Sequence, residues 1–370
     1  MRKVEYPKGT NYVQNYLTIF QNEIGNMRNK WVALQHAYPA ELGHIYNDVK
    51  DILIADFSDL AKWYIQFKKL PFATRKDLNK RFNKIFDYET WSADIAEYFK
   101  NPSEGFQIST CHYCDMAYIN VYEMDPEADG LYFLNNSPAD ELKVRLRTKS
   151  DISVAEVMKH QYKSKDEFEK VAARLRWKTG KFDRMFSPND KYKRHFDLDH
   201  VLPKSEFELV GLSLFNFVPS CQICNQNLKG TKVLGIRGVP KEKLSPTSPL
   251  FDFDNKVEFH VLPKPGVKPG RLRPTFHPQD YDLQLDAIDP DYEDFIQLFK
   301  LQERYQFHKK VALHWQEMKS KYSDARILMM EASLKHRSFS FKRIKSDIFQ
   351  SELYNKGYMS FSKLRKDMLK

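Results

Sequence analysis

Apolar residues recur along the first hundred positions at three- and four-residue steps. Val13, Leu17, Phe20, Ile24, Met27, Trp31 and Leu34 form one series. Leu42, Ile45, Val49, Ile52, Leu53, Phe57 and Leu60 form a second. That spacing predicts helices with one buried face. The aromatic and Met residues within it read as core, and Pro71 closes a further segment. The period changes over 105–122, where Ala117-Tyr118-Ile119-Asn120-Val121-Tyr122 favours a short strand. Residues 125–138 read as turn-rich. The helical period returns over 152–176. Residues 194–201 read as a second strand, ended by Pro203. Pro263, Pro265, Pro269, Pro274 and Pro278, with Gly266 and Gly270, predict an extended loop over 263–278. Beyond 291 the chain is helical again, with Phe295, Leu298, Leu301, Tyr305, His308, Val311 and Trp315 on one face. No internal repeat is visible.

The chain has 370 residues, which suggests two or three structural units at roughly 100–200 residues each. Its 42% hydrophobic and 29% charged residues are a globular balance and exclude a low-complexity chain. No apolar run approaches the ~18 residues of a membrane span. Met1-Arg2-Lys3-Val4-Glu5-Tyr6-Pro7 leads into no apolar signal region. A cytoplasmic protein with no membrane partner is therefore expected. The formal charge is +10, concentrated in 170–194, 256–273 and 335–370. Such runs serve as solvated helix faces or meet a polyanion, and charge alone leaves both open.

The cysteines say more. All four, Cys111, Cys114, Cys221 and Cys224, stand in C-x-x-C pairs. A disulfide framework does not suit a large chain without a secretion signal. A thioredoxin-like site needs one pair, whereas two pairs match four thiolates around Zn²⁺. The chain between the pairs is far longer than a zinc ribbon uses. A folded insertion with neighbouring ends is expected there.

The second pair follows a string rich in chemistry. It begins Phe196-Asp197-Leu198-Asp199-His200-Val201-Leu202-Pro203-Lys204, passes Asn216, and ends Cys221-Gln222-Ile223-Cys224-Asn225-Gln226-Asn227-Leu228-Lys229-Gly230. On a strand, neighbours point to opposite faces. Asp199 and His200 would then divide labour. The carboxylate can hold a hard cation, and the imidazole can take a proton from water near neutral pH. Asn225, at the start of a helix, would supply a second oxygen. Asp197 reads as an accessory ligand or a solvated strand residue. His112 reads as packing and His195 as structural or phosphate-facing. His160, His260, His277, His308, His314 and His336 have no partner motif.

The order C-x-x-C … D-H-x-x-P-K … N … C-x-x-C-N … K-G resembles the HNH endonucleases, the ββα-metal or His-Me finger nucleases, in their bacterial four-cysteine branch. Cys111-His112-Tyr113-Cys114, Leu212-Ser213-Leu214-Phe215-Asn216-Phe217-Val218-Pro219-Ser220-Cys221 and Glu303-Arg304-Tyr305-Gln306-Phe307-His308-Lys309 carry further likeness. The resemblance implies His200 as general base and Asp199 and Asn225 as ligands of a catalytic Mg²⁺ or Mn²⁺. It implies Asn216 as the brace of the His200 loop and Cys111, Cys114, Cys221 and Cys224 as a structural zinc set. The activity implied is metal-dependent hydrolysis of double-stranded DNA. The setting implied is anti-phage defence or a mobile element, where an ATPase partner protein is an expected companion. A zinc-dependent binding module without catalysis and an RNase of the same fold are the alternatives. Many members read C-N-x-x-K-G, and this chain has one residue more. Asn227 then competes with Asn225, and the role of Lys229 is open.

The expected architecture is mainly α, an α+β chain built round a small ββα core with a zinc knuckle. Its parts are a helical region 1–104, a nuclease core 105–235 with a basic helical insertion at about 123–193, a Pro-rich basic linker 236–282 and a helical basic region 283–370.

Overall fold

The computed structural model describes residues 1–7, 11–101, 104–123, 125–178, 182, 185–186, 192–267, 278–334, 339–351, 354 and 359–370. The protein is mainly helical, and among the described residues its strands pair as small two-stranded antiparallel sheets. It divides into two compact units. One joins Met1–Asn120 to His195–Lys370, and the other is the insertion Val121–Arg194. Among the described residues no helix is long and apolar enough to cross a membrane.

In the larger unit the first apolar series does not form one helix. It breaks into Tyr12–Tyr16, a 3₁₀ turn Leu17–Phe20, and α1, Ile24–Ala37. The buried face at the start is Tyr12 and Tyr16 rather than Val13 and Leu17. Every residue of the second series is buried. That series also spans several pieces, which end in α2, Phe57–Lys69. Asp56 caps α2 by accepting the Asp59 N–H, which satisfies a donor the helix itself cannot. Helices α3, Phe72–Asn83, and α4, Tyr88–Lys100, follow. These helices form the bed of a long loop, 201–216. Phe207 from that loop packs tilted against Phe67 and edge-on against Phe82, at 4.6 and 5.8 Å between ring centres. Burying such a ring contributes about 1.5–3 kcal/mol. Tyr16 donates to Leu212 O and Ser213 to Ile52 O.

The insertion begins and ends in a ribbon, β1 (Val121–Glu123) against β2 (Tyr192–Arg194), with Val121 opposite Arg194. Residues 125–138 are not turn-rich, because most of them form α5, Pro126–Asn136. Asp125 accepts the N–H groups of Glu127 and Ala128, and Pro126 fills the first helical position, where a missing N–H costs nothing. The turn formers therefore mark a helix start. Helices α6 (Ala139–Arg145), α7 (Asp151–Met158) and α8 (Lys165–Arg174) complete the unit. Its core is its own: Leu134, Leu142, Val154, Val157, Phe168 and Val171 are among the residues it buries.

The larger unit resumes with β3, Asp197–His200, paired with β4, Phe217–Ser220. A small hairpin follows, β5 (Gly235–Ile236) with β6 (Val239–Pro240). The stretch expected as a Pro-rich linker contains β7, Val257–Pro263, which pairs with β8, Tyr281–Ala287. Its proline-rich middle, 268–277 with His277, lies outside the described residues, as does His336. The edge of β8 finds partners on α9–α11, which are Asp291–Leu298, Leu301–Phe307 and Lys309–Lys321. Gln306 Oε1 accepts the Leu283 N–H and Gln302 Oε1 the Leu285 N–H, so two exposed ladder groups are closed by side chains. Lys300, with φ of 50°, breaks the helical run between α9 and α10.

Candidate functional site: a four-cysteine knuckle against a buried strand

The four sulfurs of Cys111, Cys114, Cys221 and Cys224 come within 4.8 Å of one another, and all four residues are buried. Two pairs far apart in sequence thus converge. Cys221 leads out of β4, and Cys111 closes a tight turn in which the Asp115 N–H donates to Cys111 O at 2.8 Å. Tetrahedral Zn–S bonds of about 2.3 Å put sulfurs roughly 3.8 Å apart, so the set fits one zinc ion. Arg304 Nη1 lies 3.3 Å from Cys224 Sγ and offers positive charge against thiolates. Tyr305 donates to Cys114 O at 2.7 Å. Among the described residues, no other group of three or more His, Cys, Asp or Glu side chains converges in this way.

After Cys221 the chain forms a π-helix, Ile223–Lys229, rather than an α-helix. Gly230 N–H closes back on Asn225 O at 2.7 Å, a five-residue step. Two strands and a π-helix therefore follow one another along the chain.

The two sides of β3 differ. Asp197 and Asp199 face the π-helix. Asn225 Nδ2 and Gln226 Nε2 each donate to Asp197 Oδ2 at 3.1 Å. Lys229 Nζ lies 3.1 and 3.0 Å from the two oxygens of Asp199, and 2.7 Å from His200 O. Tyr113 donates to Asp199 Oδ2 at 2.5 Å. Asn225 and Lys229 are about one helical turn apart, and two strand residues span about 6.6 Å, so the two ladders match. Asp199 is only 4% exposed. Burial raises its pKa against the opposing pull of Lys229.

His200 turns to the other side. Its Nε2 lies 2.9 Å from Gly211 O. Its ring meets Tyr88 edge-on at 4.6 Å and Phe217 at 4.8 Å. The ring is half-buried, and desolvation pushes its pKa down to about 3. The imidazole is therefore neutral at pH 7. Donation from Nε2 to Gly211 O leaves Nδ1 as the acceptor nitrogen. Asn216 braces the loop: its Oδ1 accepts the Leu202 N–H at 2.8 Å, and its Nδ2 donates to Leu202 O and Val210 O at 3.0 Å.

No family model, curated protein or solved structure matches the chain.

The expected sharing of one cation by Asp199 and Asn225 is not what the side chains make. An ammonium group occupies both Asp199 oxygens, and the Asn225 carboxamide is spent on Asp197. As arranged, these residues do not fit a divalent cation between them. Asn227 is exposed and makes no hydrogen bond to Asp199. It lines a cleft of about 730 Å³ beside Lys68 and Lys232. His112 is buried, with Nδ1 3.1 Å from Arg2 O, and His195 is exposed. Sequence reasoning missed Tyr113, Tyr88, Glu208, Arg304 and Tyr305 as parts of the site. Tyr113 lies inside the first cysteine string, and Arg304 and Tyr305 lie in the later stretch 303–309. Those strings were the only signal available.

Proposed function

We propose that the chain hydrolyses phosphodiester bonds in DNA, with His200 as general base. The observation that carries this reading is the His200 geometry: Nε2 fixed on Gly211 O, the loop locked by Asn216, and Nδ1 with no hydrogen-bond partner among the described residues. A neutral imidazole so held can take a proton from a water at Nδ1 as that water attacks phosphorus. Burial of the ring edge against Tyr88 and Phe217 restricts it to one orientation, which is what a positioned base needs. The strand, strand and π-helix order and the four-cysteine knuckle are in keeping with the resemblance to HNH nucleases, which implies such a base. The knuckle would hold Zn²⁺ on Cys111, Cys114, Cys221 and Cys224. That ion would pin β4 and the π-helix to the 111–114 turn and take no part in hydrolysis. Phosphate binding falls to basic surface, which gives affinity without sequence reading.

The closed Asp199–Lys229 pair favours a second reading, a zinc-dependent DNA-binding module without catalysis. In that reading Asp199 is scaffold. Plasmid cleavage decides between them, measured for the wild type and His200→Ala with Mg²⁺, with Mn²⁺ and with chelator. Strand breaks lost in His200→Ala, by about 10²-fold or more, support hydrolysis. Equal breaks by both proteins end it. Binding without any breaks leaves the module reading, and preferential loss of cellular RNA would move the substrate to RNA.

A further inference from the structure

Lys204 closes the string that begins at Phe196, and the proposed reaction gives it no role. Its backbone is fixed on both sides. Asn216 grips Leu202 through Oδ1 and Nδ2. The N–H groups of Glu206 and Phe207 both close on Pro203 O, at 3.0 and 3.2 Å. The side chain then runs along the surfaces that hold the imidazole. A methyl group built at Gly211 would stand 3.6 Å from Lys204 Cβ, so the stem passes the turn whose carbonyl meets His200 Nε2. The ammonium lies 4.8 Å from the centre of the Tyr88 ring, and that ring meets His200 edge-on at 4.6 Å. One aromatic ring stands between this positive charge and the candidate base.

The two lysines beside β3 are held differently. The Lys229 side chain is 0% exposed, and its ammonium is spent on Asp199 and on His200 O. It has no path to a substrate. Lys204 Nζ reaches Glu89 Oε1 at 2.5 Å, but the side chains are 30% and 77% exposed. An ion pair in contact with water is weak and screened by salt. Glu89 can therefore leave without unburying a charge. The non-bridging oxygens of a phosphodiester suit the vacated ammonium, a mobile point charge on a flexible stem. The Tyr88 face attracts the same cation and keeps it beside His200 while its partner changes.

We propose that Lys204 binds a backbone phosphate of the DNA strand presented to His200, and that Glu89 is the partner it gives up when the strand arrives. A phosphate contact carries no base information, so it positions the strand without reading sequence. The placement of that strand rests on the reading of His200 as base. The phosphate contact itself is measured without cleavage.

The test uses full-length, zinc-loaded protein and short fluorescein-labelled duplexes of two unrelated sequences, in buffer without Mg²⁺ or Mn²⁺. Anisotropy gives Kd over a range of salt. Lys204→Gln is expected to weaken binding to both duplexes alike and to make the slope of log affinity against log salt shallower by about 0.9, the share of one phosphate. Lys204→Arg keeps the charge and is expected to keep the slope. Glu89→Gln is expected to tighten binding, and this gain should vanish when Lys204→Gln is also present. An unchanged slope in folded Lys204→Gln overturns the proposal. So does weaker binding in Glu89→Gln, which would make the pair a structural latch, and so does an equal gain with and without Lys204, which would make Glu89 a general repulsive charge. Should Lys204→Gln fail to fold, Lys204→Arg and Glu89→Gln decide, and a lost slope in the first or weaker binding in the second overturns it. A wild type that binds neither duplex overturns it as well. Where the wild type cleaves plasmid, KM rises in Lys204→Gln with kcat unchanged. Cleavage that persists beside an unchanged slope removes Lys204 and leaves the base reading. The expected slopes without any cleavage remove the base reading and leave the phosphate contact.

Discussion

The knuckle region and the insertion solve the same problem with opposite chemistry. The insertion, Val121–Arg194, is held by aliphatic and aromatic side chains such as Leu142, Val154 and Phe168, which are at most 1% exposed. Around β3 and β4 the interior is polar: four cysteines, a Lys229–Asp199 pair, Tyr113, Glu208 and Asn216 are all buried. Apolar packing is non-directional, and each contact in it is small. Buried polar groups are exacting, because each one unpaired loses its full desolvation energy. The fold has spent its geometric specificity on the strand that carries Asp199 and His200.

The largest expected effect separates the two regions outright. Stripping metal from zinc-loaded protein with a chelator should unfold the knuckle and free β3–β4. Structural zinc contributes about 10–16 kcal/mol in isolated fingers. Hydrogen exchange should show the insertion's helices still protected. Full protection at Cys221–Cys224 and β4 after metal loss would break the contrast.

Lys229→Ala comes next. It removes the cation from a carboxylate that is 4% exposed and leaves it the Tyr113 hydroxyl, and a loss of about 3–5 kcal/mol is expected in denaturant unfolding. The paired change Asp199→Leu with Lys229→Met sharpens the point. If the pair is scaffold, the double variant regains most of the stability, since apolar groups can replace a buried ion pair. A double variant that is as stable as wild type but has lost a cleavage activity would return Asp199 to the chemistry.

Leu142→Ala is the counterpart in the insertion. A loss of about 2–5 kcal/mol is expected, read as local exchange within Val121–Arg194. Exchange spreading equally to β3 would show that the two units unfold together.

The sequence alone made much of this legible. Periodicity marked the buried faces, down to Leu42, Ile52 and Leu60. The regular cysteine spacing announced a metal-binding cluster. Its wide separation announced a folded insertion. Where reading failed, the cause was local. Asp125 and Pro126 have the composition of a turn and the placement of a helix cap, and only the hydrogen bonds from Glu127 and Ala128 distinguish the two. Lys300 broke a face that the period alone ran straight through.

The candidate site divides in the same way. Residue types and order were enough to single out Asp199, His200, Asn216 and Asn225, because chemistry-bearing residues close in sequence carry their spacing with them. Which of them pair was decided by tertiary structure. The π-helix Ile223–Lys229 sets Lys229 against Asp199 and Asn225 against Asp197. Tyr113 and Glu208 reached the strand from far along the chain or across a loop. A linear sequence records which groups exist and how far apart they are along the backbone. Partners for a buried charge are chosen by distances of about 3 Å through space, and folding alone sets those.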